Sequence, residues 1–137
     1  MKICAGILLY RSDEVFLTHP GGPFFAKKDN CWGIPKGESL AGENLLDTAR
    51  REFFEETGIK IPDDKKLLAV GQVKYNNKVV HCWATEYTLK DSPVIKSNLS
   101  KFGWPEIDKA QFFDFKTALA KILPAQQEFI KRLIANL

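Results

Sequence analysis

Hydrophobic residues follow strand-like patterns in four segments of the chain. Residues 2–10 are almost all apolar, as in a strand that is at least partly buried on both faces. Residues 14–19 follow after a short polar break and predict the hairpin partner of that strand. Residues 67–75 and 79–87 form a second pair of strand-like runs, and Asn76-Asn77 between them predicts a tight turn because Asn tolerates positive φ.

Apolar residues at helical spacing predict two helices. Within residues 42–57 one stripe is formed by Leu45, Leu46, Ala49 and Phe53. Gly58 is expected to end this helix, because glycine adopts the left-handed cap conformation without strain. A second helix is predicted from about Gln126 to the C-terminus, with an apolar face made of Phe129, Ile130, Leu133, Ile134 and Leu137.

The segment between the second pair of strands and the last helix has a weaker pattern. Residues 88–104 contain Pro93 and Gly103 and are interpreted as irregular, while residues 111–115 predict a short strand. The elements together indicate a mixed sheet with one central and one C-terminal helix, not a regular βαβ alternation. We expect residues 1–137 to form one domain, since ~100–150 residues is a usual domain size.

Composition narrows the class of protein. The chain is 45% hydrophobic and 27% charged, which is typical of a globular protein rather than a disordered one. No apolar run reaches the ~18 residues of a membrane span and no secretory leader is recognised, so we expect no membrane partner and a cytoplasmic location. The widely spaced Cys4, Cys31 and Cys82 are interpreted as reduced core residues. His19 and His81 show no metal-ligand spacing and are interpreted as core or strand-end residues.

Charge is distributed unevenly along the chain. The net charge is +3, yet residues 37–59 carry −4 and the remainder carries +7. Acidic clusters attract divalent cations, and basic surroundings attract phosphates. A solvated acidic helix face would give the same composition, so the charge pattern alone leaves both interpretations open.

The acidic segment places three carboxylates on one side of the predicted central helix. Glu52, Glu55 and Glu56 are spaced by three and four residues, so they emerge together and repel one another unless a cation lies between them. Oxygen ligands at this density suit Mg²⁺ or Mn²⁺. Arg51, the residue before Glu52, can hold a carboxylate in a forked geometry.

Three lysines are candidate phosphate contacts. Lys36 lies in the glycine-containing loop that leads into the acidic helix, where it is either a phosphate contact or a solvated lysine. Lys27 and Lys28 lie in the loop after the first hairpin, and the same two interpretations apply to them.

The acidic residues also belong to a longer motif. Residues 37–59 match G-x5-E-x7-R-E-U-x-E-E-x-G-U at every fixed position, where U is an apolar residue. This motif resembles the signature of the Nudix hydrolases. Its nine defined positions within 23 residues make it far more specific than a short glycine motif. The order of the surrounding elements is also similar to that of the family's domain.

The resemblance implies a fold, a reaction and a set of site residues. The fold would be an α/β/α sandwich around a mixed β-sheet, with the motif forming a loop–helix–loop. The reaction would be metal-dependent hydrolysis of a nucleoside diphosphate linked to another moiety. The ligands of Mg²⁺ or Mn²⁺ would be the Gly37 carbonyl and the carboxylates of Glu52, Glu55 and Glu56. Glu52 would also activate water, and Arg51 and Glu43 would orient the acidic side chains.

Two further stretches resemble one branch of the family, the diadenosine tetraphosphate hydrolases. Residues 32–37 are similar to the W-x-x-P-K-G entry of those enzymes. The stretch Trp104-Pro105-Glu106 is similar to their late acidic position, so Glu106 is a candidate metal ligand or base, or otherwise a rim carboxylate. Phe112-Phe113 stands where a tryptophan is common, and Phe113 is a candidate for holding a base.

These observations lead to ranked hypotheses for function. The first is a Nudix pyrophosphohydrolase acting on a small nucleotide, with dinucleoside polyphosphates ahead of nucleoside triphosphates, including oxidised ones. The alternatives are a nucleotide-binding module without turnover and an RNA 5′-end pyrophosphohydrolase. The basic surplus permits an RNA substrate, but no dense basic patch or stacked aromatic series supports nucleic-acid binding.

Overall fold

The computed structural model describes residues 1–87 and 106–137. The strands are β1 (Lys2–Arg11), β2 (Glu14–Pro20), β3 (Lys36–Glu38), β4 (Leu68–Tyr75), β5 (Lys78–Glu86) and β6 (Ile107–Asp114). The helices are α1 (Leu45–Thr57), α2 (Phe115–Lys121) and α3 (Gln127–Ala135), and a 3₁₀ turn at Pro124–Gln126 precedes α3. The segment 88–104, predicted to be irregular, lies outside the described residues.

One mixed sheet contains these strands, in the order β4-β5-β1-β2-β6. β1 runs parallel to β5 and antiparallel to β2 and β3. The second edge of β1 is shared, because β3 pairs with Cys4–Gly6 and β2 pairs with Tyr10 and Arg11. The sheet therefore divides beside β1, and β3 brings the start of the acidic segment onto its edge.

Side chains on the two faces of the sheet form two separate cores. One face packs against α2 and α3, whose contributions include Phe129 and Leu133. The other face packs against α1, chiefly through Phe53. β1 supplies both cores, with Leu8 in the first and Ile7 in the second, as predicted for a strand buried on both faces. The resulting three layers form the α/β/α sandwich that the resemblance implied.

The central helix α1 begins later than predicted, at Leu45 rather than at residue 42. Gly42 has a φ of 75°, which is outside the helical region. Asn44 caps the helix by accepting a hydrogen bond from the Leu46 amide at 2.9 Å. The end of the helix is as predicted, since Gly58 has a φ of 76° and serves as the cap.

The described region after residue 105 holds more regular structure than predicted. β6 begins at Ile107, four residues before the predicted strand, because it pairs with β2 along its length. The pattern also fails to predict α2, which is too short to show helical spacing. Asp114 begins α2 by accepting hydrogen bonds from the Thr117 amide at 2.7 Å and hydroxyl at 2.9 Å. The Asn76-Asn77 turn and the C-terminal helix are confirmed.

Other predictions from composition can be compared with the described residues. None of the helices in this part of the chain has the length and apolar character needed to cross a membrane. Cys4, Cys31 and Cys82 are free and buried, as predicted for reduced core cysteines. His19 is fully buried in β2, and His81 is half-buried in β5.

Candidate active site

Arg51 holds in place the acidic face of α1, the name used here for the surface formed by Glu52, Glu55 and Glu56. Its guanidinium donates to both carboxylate oxygens of Glu43, at 2.8 and 3.0 Å, and to the Glu38 carbonyl at 3.1 Å. Glu43 also accepts hydrogen bonds from the Thr48 hydroxyl at 2.7 Å and the Leu40 amide at 3.1 Å. These contacts tie the loop before α1 to the helix itself, so the two present one fixed surface.

The same guanidinium holds two of the three predicted ligand carboxylates. Its Nη1 donates to Glu52 Oε1 at 2.7 Å and to Glu55 Oε2 at 3.2 Å. The hydrogen bond to Glu43, with smaller contributions from the other two acids, raises the pKa of Arg51 above its ordinary value. In return, the Arg51 hydrogen bond lowers the pKa of Glu43 to about 2.

Replacing Glu43 by Gln should lower the stability of the protein at neutral pH but not in acid. Its pKa falls from 4.5 to about 2 on folding, so the charged pair stabilises the fold above pH 4.5 and this contribution is lost as the pH falls toward 2. We expect the free energy of unfolding of the parent to exceed that of Glu43→Gln by about 1–3 kcal/mol near neutral pH, the range for hydrogen bonds to charged groups. Urea unfolding of both proteins across this pH range measures the difference.

The matched control for that experiment is Glu14→Gln. Glu14 makes a half-exposed ion pair with Arg11 at 3.0 Å near the surface, so its loss should change the free energy of unfolding by less than ~1 kcal/mol. If the difference in free energy of unfolding between the parent and Glu43→Gln stays constant with pH, the charged pair of Glu43 and Arg51 does not stabilise the fold as proposed.

Gly37 lies closer to Glu52 than any side chain would allow. A Cβ atom built on Gly37 would overlap the carboxyl carbon and Oε2 of Glu52. β3 holds Gly37 opposite Ala5 of β1, so the glycine backbone cannot retreat without breaking that pairing. The Gly37 backbone is thereby kept beside the Glu52 carboxylate.

Glu56 sits in a half-buried position at the end of this acidic face. It accepts a hydrogen bond from the Lys36 amide at 3.1 Å. Burial, together with the negative charges of Glu52 and Glu106, raises the pKa of Glu56 to about 8 against the opposing charge of Lys36. Burial likewise raises the pKa of Glu52, and the charge of Glu106 adds to the effect. Glu106 is therefore in electrostatic range of two predicted ligands.

Glu106 lies just before β6 and is exposed. Its carbonyl accepts a hydrogen bond from the Gly21 amide at 2.9 Å. Gly21 opens residues 21–30, here called the lysine loop, so the start of β6 is fixed against this loop. Trp104 and Pro105, the other residues of the predicted motif, lie outside the described residues.

The oxygen atoms of the acidic face are the type of ligand that a hard divalent cation prefers. They are not, however, arranged as a preformed metal site. Within residues 1–87 and 106–137, no three His, Cys, Asp or Glu side chains could hold a metal ion as they stand. Glu52 and Glu55 are instead turned toward Arg51. Burial is the larger cause of the raised pKa of Glu52, and the negative charge of Glu55 adds to it. A divalent cation would relieve this repulsion.

A pocket of about 120 Å³ opens beside Glu56 and Lys36. Its wall includes the ends of β2 and β6 and the fully buried side chain of Gln126. The Gln126 amide accepts from the Ile34 backbone N–H at 2.9 Å and donates to the Tyr75 hydroxyl at 2.7 Å. Gln126 thereby fixes the loop that leads to Lys36. The sequence pattern does not indicate this role, because a single glutamine before an amphipathic helix has no distinguishing feature.

The three remaining predicted substrate residues do not line this pocket. Lys27 and Lys28 are exposed on the lysine loop, and the Lys28 ammonium lies 3.7 Å from the centre of the Phe24 ring. Phe113 is only 7% exposed, and its ring packs edge-on against Trp32 with centres 4.8 Å apart. The prediction that Phe113 stacks on a base is therefore corrected, since its position in β6 turns the ring into the core beneath α2 and α3.

A three-layer fold with arginine-braced carboxylates on a loop–helix–loop defines the class of this protein: the chain belongs to the Nudix family. The family model of the NUDIX domain matches residues 2–133. This match confirms the resemblance drawn from residues 37–59.

Individual relatives match parts of the chain. The Nucleoside diphosphate-linked moiety X motif 6 of Mus musculus is 48% identical over 46 residues, which are 34% of this chain and 14% of that protein. The m7GpppN-mRNA hydrolase dcap-2 of Caenorhabditis elegans is 32% identical over 105 residues, which are 74% of this chain and 13% of that protein. The matched segments are thus a small part of these much longer relatives.

Solved structures resemble the whole chain. A C. elegans Ap4A hydrolase in a binary complex has a TM-score of 0.76 at 20% identity, covering 97% of this chain and 96% of that chain. A MutT Nudix hydrolase from Burkholderia pseudomallei has a TM-score of 0.74 at 16% identity, covering 96% and 97%. A bifunctional NMN adenylyltransferase/ADP ribose pyrophosphatase from Francisella tularensis, complexed with AMP and an Mn ion, has a TM-score of 0.66 at 15% identity, covering 98% and 41%. At these identities the likeness shows the fold, and it confirms the predicted architecture.

Proposed function

We propose that this chain is a divalent-metal-dependent pyrophosphohydrolase that cleaves a phosphoanhydride bond in a nucleotide with a polyphosphate chain. The observation that carries the proposal is the acidic face of α1: Glu52 lies against the Gly37 backbone, Glu55 contacts Arg51, and Glu56 lines a pocket together with Lys36. Family membership supports hydrolysis, and one structural neighbour is complexed with both AMP and an Mn ion.

The residues that would hold Mg²⁺ or Mn²⁺ are the oxygen donors of the acidic face: the Gly37 carbonyl and the carboxylates of Glu52, Glu55 and Glu56. When bound, the cation supplies charge neutralisation at the phosphoryl oxygens. Arg51 would orient the carboxylates, since it already contacts two of them. Glu43 would orient Arg51 through its two-pronged contact.

Hydrolysis also requires a water oxygen to attack phosphorus while the P–O bond to the leaving phosphate breaks. Glu52 would accept the proton of that water. Its Oε1 is held by Arg51 at 2.7 Å, and its Oε2 faces Gly37 at the surface of the site. Lys36, at the wall of the pocket, would contact a phosphate of the bound substrate.

Dinucleoside polyphosphates are the substrate class we favour, with nucleoside triphosphates, including oxidised ones, second. The W-x-x-P-K-G stretch at residues 32–37 supports this choice, and an Ap4A hydrolase is among the structural neighbours. The exposed Lys27 and Lys28 would contact phosphates distant from the cleaved bond.

An RNA 5′ end is the second candidate substrate, favoured by one specific observation. The relative named as an m7GpppN-mRNA hydrolase is 32% identical to this chain over 105 residues. The net charge of +7 outside residues 37–59 would also attract RNA phosphates.

A substrate panel with Mg²⁺ tests these proposals. It contains diadenosine tetraphosphate, a nucleoside triphosphate, an oxidised triphosphate, a capped RNA and a triphosphorylated RNA, with products identified by mass. We expect the highest kcat/KM with diadenosine tetraphosphate. A preference for either RNA would transfer the proposal to RNA ends. Tight nucleotide binding without any product would contradict the hydrolase proposal and indicate a binding module.

The acidic face also predicts a link between metal and stability. Mg²⁺ should raise the melting temperature of the parent, because a ligand that binds the folded state stabilises it by about 2.7 kcal/mol at 100 times its Kd. Glu55→Gln combined with Glu56→Gln should abolish this rise and leave the metal-free protein at least as stable, because burial disfavours the charge of Glu56 and the charge of Glu55 repels Glu52. Thermal melts with and without Mg²⁺ measure the shift.

The control for the metal experiment removes two charges elsewhere. Asp63 and Asp64 are exposed in the loop after α1, so Asp63→Asn with Asp64→Asn should keep the full metal-induced shift. An equal shift in the parent and in the Glu55, Glu56 double variant would place the ions at another site.

Glu106→Gln should lower kcat by at least about 10-fold with little change in KM, because a carboxylate beside the reacting atoms acts mainly in the transition state. Steady-state kinetics on diadenosine tetraphosphate and on a nucleoside triphosphate measure this. Glu128→Gln, at an exposed position on α3, is the control and should behave as the parent. Parent-like kcat for Glu106→Gln on both substrates would make Glu106 a rim carboxylate worth only ~0–1 kcal/mol.

A further inference from the structure

His19 is a buried titratable side chain that the proposed mechanism does not use. It lies in β2 with no solvent exposure. Its Nδ1 is 2.8 Å from Asp108 Oδ1, and its Nε2 is 2.6 Å from the Lys28 carbonyl oxygen. Both ring nitrogens are thus paired, one with β6 and the other with the loop that ends before Cys31.

Each ring nitrogen lies within hydrogen-bonding distance of one oxygen. One oxygen belongs to the Asp108 side chain and the other to the Lys28 backbone, so the imidazole bridges two segments of the chain. The edge of the Trp32 ring system, with centres 5.1 Å apart, closes a further side of the imidazole.

Cys31 completes the surroundings of His19, with Sγ 3.6 Å from Nε2. A cysteine, a histidine and an aspartate in this order resemble a nucleophilic triad. Burial, however, raises the pKa of the Cys31 thiol, so the sulfur is held in its unreactive protonated form. The sulfur also donates to the Lys28 carbonyl at 3.8 Å, which is a packing role. The cluster is thus built to hold a segment of chain in place.

The two ends of His19 join two segments that border the site. Lys28 lies near the end of the lysine loop, whose flanking residues Pro20 and Cys31 both line the pocket beside Glu56. Asp108 lies two residues after Glu106 and is the second residue of β6. The Gly21 amide, at the other end of the lysine loop, donates to the Glu106 carbonyl at 2.9 Å.

We propose that His19 is a positioning residue that fastens the lysine loop and the Glu106 end of β6 to each other through its two ring nitrogens. The Lys28 contact would hold the loop against the substrate, and the Asp108 contact would hold the backbone that carries Glu106. This inference rests on the proposed function for its kinetic part, although the fastening itself is independent of turnover.

Two substitutions separate the two ends of His19. The amide of His19→Asn stands near the Nδ1 position, so it retains the Asp108 contact and loses the Lys28 contact. The longer side chain of His19→Gln places its amide near the Nε2 position, so it retains Lys28 and loses Asp108. Asp108→Ala, at a side chain that is 30% exposed, breaks the Asp108 contact without altering the core.

The first readout is trypsin cleavage after Lys27 and Lys28, located by mass, because cleavage of a tethered loop requires its local release. His19→Asn should be cleaved there at least about 5-fold faster than the parent, whereas His19→Gln and Asp108→Ala should be cleaved at the parent rate. The second readout is kinetic. His19→Asn should raise KM by about 5-fold or more, and the other two variants should lower kcat by about 3-fold or more with KM near the parent's.

Equal effects of His19→Asn and His19→Gln on both readouts, or no effect of either, would overturn the proposal and leave His19 as a packing residue. Should the His19 variants fail to fold, Asp108→Ala decides, because parent-like kcat in that variant overturns the proposal. If the parent hydrolyses no nucleotide, the proposed function fails, while the contrast in trypsin cleavage between the Asn and Gln variants still tests the fastening.

Discussion

Glu52→Gln should reduce kcat by roughly 10²–10⁴ while the fold is retained, the range for losing a general base or a charge at the reacting centre. Glutamine preserves the shape of the side chain and can still contact Arg51 through its carbonyl, so the brace of the acidic face survives. It cannot accept the proton of the attacking water, and it lacks the negative charge with which a carboxylate holds a cation. Steady-state turnover with Mg²⁺, together with a thermal melt, measures both parts of the prediction.

The matched control for Glu52 lies on the same helix. Asp47 is an exposed acid in the first turn of α1. Asp47→Asn removes one negative charge from the helix and should cost only about 0.3–1 kcal/mol through the helix dipole, with kcat near the parent's. A Glu52→Gln variant that keeps most of its turnover would remove Glu52 from the chemistry.

Gly37→Ala should lower kcat on the order of 10²-fold, since displacing a catalytic group by about 1 Å costs that much. The new methyl group would occupy the space of the Glu52 carboxyl group, and the pairing of β3 with β1 prevents the backbone from yielding. The Glu52 side chain must therefore leave its position. Kinetics and the free energy of unfolding should be measured together, because the activity loss is expected to exceed the loss of stability.

Gly42→Ala provides the opposite case in the same loop. Nothing lies within 4 Å of a Cβ atom built there, but Gly42 has a φ of 75°. Alanine should therefore cost about 1–2 kcal/mol of stability through backbone strain and leave kcat near the parent's. A Gly37→Ala variant with parent-like kcat would show that the close approach to Glu52 has no role in turnover.

The sequence was sufficient for the parts of the fold that repeat a local pattern. The apolar run of β1, the stripe on α1 and the Asn76-Asn77 turn each follow from local spacing or backbone preference, and all three are confirmed. β6 and α2 were predicted incompletely for a physical reason. β6 is stabilised by pairing with β2, which is distant in sequence, and α2 depends on the Asp114 cap and on the layer above it.

The site residues divide in the same way, into those that local spacing predicts and those that only the fold brings together. The motif at residues 37–59 predicted the composition of the acidic face, because its members lie within one helix and the loop before it. Glu106 comes from another element, and only the folded sheet brings it into range of Glu52 and Glu56. Phe113 was misjudged because strand alternation in β6 depends on the register with β2. The single domain over 1–137, the cytoplasmic location and the roles of the site residues stay predictions.

We propose that the acidic face of α1 binds the divalent cation on which hydrolysis depends. The most direct test is the initial rate of diadenosine tetraphosphate hydrolysis as a function of Mg²⁺ concentration, for the parent and for Glu55→Gln with Glu56→Gln. We predict a saturable rise from zero in the parent and a rate near zero at every concentration in the double variant. A parent rate independent of Mg²⁺, or the same Mg²⁺ dependence in both proteins, would contradict the claim.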